Sequence, residues 1–238
     1  MSHFRLLTLL PSLPSAPEAP PEPLDFVAAQ ILEALAPPYQ RLARALLAEL
    51  DCRNAEALLL GLEPLEHRAQ IPVEHLQACH SLPRWLETVL RAAQNPTQRP
   101  STETLWTAWL QHLLDLRDVS ESAFFSAWVT FEASLRDDLA HLRERQLHVP
   151  QHASRERVRI FGRPTHTDLL HAVQDAPDPR EQERRIDSAR LDHIRAIEGT
   201  DPFSADAALA YLASMLILDR WSIPDSVDID GLLETFHP

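Results

Sequence analysis

Only four glycines punctuate this chain, Gly61, Gly162, Gly199 and Gly231. Their wide separation constrains the fold more than any other feature. Phosphate-cradling loops need clustered glycine, so that successive backbone N–H groups can close on an anion. Neither a P-loop nor a dinucleotide fingerprint can be written with this spacing. The stretches between glycines and prolines read instead as helix.

The apolar periodicity places them. Leu24 to Leu35 forms an amphipathic piece halted by Pro37 and Pro38. Tyr39 to Leu50 repeats Leu42, Leu46, Leu47 and Leu50 near the helical period. A separate segment, Asn54 to Leu60, ends at Gly61, a residue suited to a left-handed helix terminus. Pro72 to His80 and Pro83 to Gln94 form a broken pair, and Thr102 to Leu116 follows. Asp178-Pro179 reads as an N-cap with proline in the first turn, opening a helix that runs to Glu198. Asp201-Pro202 repeats the device. The next stretch, Phe203 to Ser222, is apolar on most of its circumference and should be the most buried element. Asp228 to Phe236 reads as a short amphipathic cap.

The longest run without glycine or proline, Ser101 to Val149, contains "FFSAWVTFEASLRDDLAHLRERQL", Phe124 to Leu147. With Glu121 as its start it predicts a helix about 40 Å long at 1.5 Å per residue. Phe124, Trp128, Phe131, Leu135, Leu139 and Leu142 make one continuous apolar stripe, the pattern of a packed face. The acidic pair Asp137 and Asp138 falls on different faces and reads as solvated. The expected fold class is all-α, a helical bundle, with room for one short strand at Phe4 to Leu9. Residues 1–23 read as an extended segment with a Pro-rich linker rather than a signal peptide, and residues 24–238 as a single helical domain.

The formal net charge of -13 opposes binding to nucleic acid or to anionic membrane surfaces. One segment departs from it: Arg136, Arg143, Arg145, Arg155, Arg157, Arg159 and Arg163 make the middle of the chain basic, which reads first as a solvated helix face with Glu144 and Glu156 beside it, and second as a dock for an acidic protein partner. No run approaches the ~20 apolar residues of a membrane span. The two cysteines, Cys52 and Cys79, sit in helix-like apolar patterns and read as small buried side chains. His75, Cys79 and His80 are the best metal candidates, but a zinc site needs a further ligand and no CxxC or HExxH spacing supplies one. His148 and His152 are separated by Pro150. No GxSxG elbow is present. The residues therefore predict no catalytic group, no cofactor and no metal.

Several segments together resemble a known family. "DCRNAEALLLG", Asp51 to Gly61, is similar to its first motif. Phe124 to Leu147 resembles its second, with a Phe-Glu and Leu-Arg centre and an Arg-rich tail. "RIDSARLDHIRAIEGTDPFSADAALAYLASMLILDRWS", Arg185 to Ser222, resembles its third, and "HFRLLTLLPSLP" resembles its opening. The family is an uncharacterised bacterial one encoded among the genes of V/A-type rotary ATPases, similar in turn to the C-type (d-type) funnel component of those enzymes. Two departures stand out. Asp137 follows Arg136 where the family usually has Asn, and Asp219 precedes Arg220-Trp221 where Glu is usual.

The resemblance implies a helical bundle or funnel that is a non-catalytic part of the V/A-type ATPase, coupling the central axle to the membrane rotor ring during ion transport. It implies a cytoplasmic location, peripheral to the inner membrane through the ATPase complex. It implies partner contacts at Arg53, Asn54, Arg136, Arg143 and Arg145. An assembly or regulatory factor of the same ATPase is the alternative within that family, and an unrelated helical scaffold the alternative outside it.

Overall fold

The computed structural model describes residue 8 and residues 10–64, 66–94, 101–146 and 165–222. Among these the chain is all-α, with no strand. Thr8, the one described residue of the stretch expected to be extended with Phe4 and Leu9, is helical. The cap expected at Asp228 to Phe236, the arginines from Arg155 to Arg163, and His148 and His152 lie outside the described residues.

Helix α1 spans Leu24–Ala34 and α2 spans Pro37–Leu60. Between them Ala36 is extended (ψ 155°), as a residue before proline must be. Pro37 and Pro38 do not merely stop α1. They occupy the first turn of α2, where a missing N–H costs nothing. The sequence divides this region into two helices, but α2 runs unbroken for 24 residues. Its polar middle, Asp51 to Asn54, stays helical because downstream residues bond to it. Gly61 ends it at φ 72°, with its N–H on Leu58 O at 3.1 Å and the N–H of Leu62 on Ala57 O at 2.8 Å. That crossed pair satisfies two of the terminal carbonyls.

The short α3 (Val73–Ala78) and α4 (Arg84–Ala93) lead to α5 (Thr102–Arg117), capped by Ser101. The long α6 spans Ala123–Gln146. Its stripe packs as expected: Phe124, Trp128, Leu135, Leu139 and Leu142 are all buried. Its start is held from outside. Asp206 accepts from Phe124 N at 3.1 Å and from Ser122 Oγ at 2.5 Å, while Ser122 Oγ accepts from Phe125 N.

Helix α7 spans Thr167–Gln174, α8 spans Pro179–Ile197 and α9 spans Ala205–Asp219. Asp178 caps α8 at 2.8 Å from Glu181 N, as its sequence predicts. Asp201-Pro202 does not repeat the device. Asp201 closes a turn on Phe203 N, and Ser204 is the N-cap of α9. The most apolar helix is the most enclosed: α9 packs against α1, α2, α6 and α8, and Leu209, Leu212, Met215 and Leu218 have no measurable exposure. A polar helix in that position would leave side-chain groups without water or partners.

The core has two parts. The larger joins α1 to α5, the first half of α6, Leu191 and Ile194 of α8, and α9. The smaller joins Leu135, Leu139 and Leu142 of α6 to Val173 of α7 and Ile186 of α8. Phe131 packs against both.

Residues 10–23 do more than link. Leu10 and Leu13 pack on the larger core, and Pro17 is buried. Tyr211 donates to Pro11 O at 2.9 Å, Arg184 donates to Pro17 O at 3.1 Å, and Arg195 donates to Ser15 O. The segment is a strap fastened across α8 and α9.

Candidate functional site

The segments that carry the sequence motifs meet where α2, α6, α8 and the end of α9 converge. Glu132 of α6, one residue past the stripe position Phe131, is buried, and so is Arg190 of α8. Arg190 Nε lies 3.0 Å from Glu132 Oε2 and Nη2 lies 2.7 Å from Oε1. This fork-on-fork pairing is the strongest geometry open to arginine and carboxylate. Arg190 also holds Asp187, one turn earlier, at 3.0 Å. Asp187 in turn accepts from Arg220, and from the indole N–H of Trp221 at 2.9 Å.

Arg136 bonds Glu132 Oε1 at 2.8 Å and lies over Trp106 and Trp109, 5.4 and 5.2 Å from the ring centroids. On α2, Arg53 pairs with Glu49 at 2.9 Å and approaches Glu66 at 3.8 Å. Glu66 is bound by Arg68, and Arg68 reaches Asp219 at the end of α9. Five arginines and five carboxylates thus form two neighbouring chains of ion pairs, with Glu49 of one feeling Arg220 and Arg136 of the other, and their formal charges cancel.

The electrostatics follow from that pairing. Burial alone would push the Glu132 carboxyl up, but Arg190 and Arg136 outweigh it and hold it at about 2. Burial acts against the charge of Arg190, and Glu132 and Asp187 more than compensate, holding it above the usual range. Glu49 is likewise held low, as Arg53, Arg220 and Arg136 overcome its burial. Carboxylates kept ionised in this way make poor proton donors near neutral pH. The cleft beside them is lined by Glu49, Trp109, Trp128, Arg136, Arg190 and Arg220 and encloses about 30 Å³. That is space for a water or two. The arrangement is suited to locking four helices together.

The sequence-predicted contact residues divide. Arg53, Asn54 and Arg136 belong to or border this network. Asn54 is 2% exposed, its Nδ2 donates to Glu66 O at 2.9 Å and its Oδ1 accepts from Glu66 N at 3.0 Å. Its amide is therefore spent inside the protein, pinning the loop after α2. Arg143 is exposed, seven residues beyond Arg136 and so about 10 Å further along α6. Arg145 lies in the last turn of the same helix.

Glu132, Asp187, Arg190, Asp219 and Arg220 are missing from the sequence-based contact set. Their signal is a charged residue on or beside an apolar stripe, which marks a buried pair but not its partner. Asp138 is a correction of the same kind. It is not solvated but 4% exposed, and it accepts from the N–H groups of Thr165 and His166 at 2.9 and 3.0 Å.

Cys52 lies buried within α2, where burial pushes its thiol well up. Cys79 ends α3 at φ 47° rather than continuing a helix, and its sulfur accepts from Gln94 at 3.3 Å. Its neighbours His75 and His80 meet edge to face at 5.8 Å. Among the described residues no three His, Cys, Asp or Glu side chains are grouped to hold a metal ion, and no helix is long and apolar enough to cross a membrane.

Comparison with family models, with curated proteins and with solved structures returned no match.

Proposed function

We propose that this protein is a non-catalytic subunit of a bacterial V/A-type rotary ATPase, coupling the central axle to the membrane rotor ring during ion transport. The observation that carries the reading is the convergence of the three motif-bearing segments. Asp51 to Gly61, Phe124 to Leu147 and Arg185 to Ser222 are far apart in sequence, and their charged residues converge as two neighbouring chains of ion pairs, with the Arg190–Glu132 pair buried between α8 and α6. The ATPase itself enters through the sequence resemblance, and the network supports the mechanical part of the role. An adaptor under torque gains from long helices whose relative positions are fixed by directional, desolvated ion pairs rather than by apolar contact alone.

In this reading the protein is cytoplasmic and held at the inner membrane only through its partners, without nucleic acid or cofactor. The exposed Arg143 and its neighbour Arg145 lie at or near one contact. The test is affinity purification of the tagged chain from cells expressing the whole ATPase. Stoichiometric recovery of catalytic, axle and rotor-ring subunits supports a permanent place in the machine. Recovery only of incomplete complexes points to an assembly factor. Recovery of neither removes the ATPase from the account. Charge reversal at Arg143 and Arg145 should leave the melting temperature unchanged and weaken that recovery, since exposed charges govern association more than folding.

A further inference from the structure

A second cluster of titratable groups lies where α6, α7 and α8 meet, and the ion-pair network makes no use of it. Phe131 of α6 is held between two imidazoles. His193 of α8 stacks on it with centroids 3.9 Å apart and planes 12° apart. His166, immediately before α7, meets it edge-on at 5.0 Å. His166 Nε2 lies 2.8 Å from Ser134 Oγ, and its backbone N–H is one of those tied to Asp138. His193 Nε2 is shut off from solvent and has no hydrogen-bond partner. The smaller apolar cluster of Leu135, Leu139, Leu142, Val173 and Ile186 joins the same three helices.

We propose that this sandwich is an acid-released latch: when both imidazoles take up protons, α7 swings away from α6 and bares the stripe Leu135, Leu139 and Leu142. A protonated His193 would carry a second N–H in a place that offers its ring nitrogen no acceptor. Two positive rings against one phenyl group would also repel each other. The surroundings are mixed. Glu132 and Asp138 on α6 favour charge on His166, Arg190 stands one turn before His193 on α8, and Asp168 on α7 is exposed. A cation–π contact with Phe131 also favours charge, on one face only. Burial opposes it on both rings and dominates: His166 is lowered by burial against the pull of Asp138 and Glu132, and His193 by burial and by His166.

Rings that are harder to protonate closed than open make the closed form lose stability as pH falls through the ordinary imidazole range. The forked pair of Arg190 and Glu132 does not titrate there and keeps α8 on α6, while the departure of α7 takes His166 away from His193 and lets water reach the His193 ring. The latch is independent of the ATPase reading.

Hydrogen exchange on the full chain tests it, with rates corrected for intrinsic pH dependence. Between pH 7.5 and 5.5 amides of α7 should lose protection by up to about a hundredfold, the limit for two imidazoles that titrate normally only when open. Amides of α9 should hold theirs. The double variant His166→Gln with His193→Phe should keep α7 protected at both pH values. Protection of α7 that ignores pH in the wild type overturns the proposal, as does a pH dependence that survives in the double variant. Should the variant fail to fold, nuclear magnetic resonance titration of the two wild-type rings decides: values at or above the ordinary imidazole value for both sink the latch.

Discussion

Arg190 and Glu132 are 58 residues apart in sequence, yet each presents both of its polar arms to the other inside the protein, at 3.0 and 2.7 Å. The pair joins α8 to α6 at the level where the larger core gives way to the smaller. Its value lies in direction rather than in raw stability. Two desolvated charges largely offset their own attraction, while a single survivor is left with neither water nor partner.

Removing one member should therefore be severe. Arg190→Met leaves Glu132 with Arg136 alone and strips Asp187 of one cation. The expected loss is about 3–5 kcal/mol, the range for breaking a buried pair. Urea unfolding at pH 7 measures it. Glu132→Met with Arg190→Met should recover part of that loss, because no orphaned carboxylate remains at position 132.

Asn54→Ala should loosen the loop after α2 without disturbing the helix. Both hydrogen bonds from its amide go to the backbone of Glu66. Losing them leaves a backbone N–H and C=O to find new partners, at about 1–3 kcal/mol each when such groups stay buried. Because Glu66 orients Arg68, and Arg68 reaches Asp219, exchange should quicken at the end of α9 as well as in the loop. Exchange confined to the loop would show that the chain of contacts is not mechanically coupled.

These residues also mark what the sequence makes legible. Proline and glycine announce the limits of α2, α4 and α8, since their effects are local. The stripe from Phe124 to Leu142 and the all-round apolarity of α9 announce burial, because periodicity is a property of one helix. The middle of α2 misleads for the opposite reason. Asp51, Arg53 and Asn54 interrupt an apolar pattern and suggest a break, yet Asp51 and Asn54 are buried. Their partners, Ile71 and Glu66, arrive from a loop that no local pattern predicts. Glu132 and Asp138 are hidden in the same way, each satisfied by residues 27 or more positions downstream.

Trp128→Ala should destabilise the protein by roughly 3–5 kcal/mol, the usual range for truncating a buried aromatic ring. The ring is 7% exposed, stacks on Phe131 at 5.8 Å and lines the cleft beside Glu132. Thermal melting checks the loss. Trp128→Phe should recover most of it, because it keeps the stack and shortens only the wall of the cleft.

Asp51 gives a pH dependence of its own. Burial raises its carboxyl to about 6, against hydrogen bonds from Ile71 N and from Gln70 that favour the charged form. A carboxyl that is raised on folding binds its proton more readily in the native state than in the unfolded chain. Its contribution is therefore full below the unfolded value of 3.8 and is lost as pH rises through about 6. At pH 7 the penalty is roughly 3 kcal/mol at most. Asp51→Asn keeps an acceptor for Ile71 N and has no charge to desolvate. The variant should be more stable than wild type at pH 7, with the advantage shrinking steadily as pH falls from 6 toward 4. Urea unfolding of both proteins across that interval isolates the effect, since the imidazoles of His166 and His193 are common to both. A difference that stays constant with pH would mean that Asp51 titrates normally, and that the bonds from Ile71 and Gln70 offset its burial.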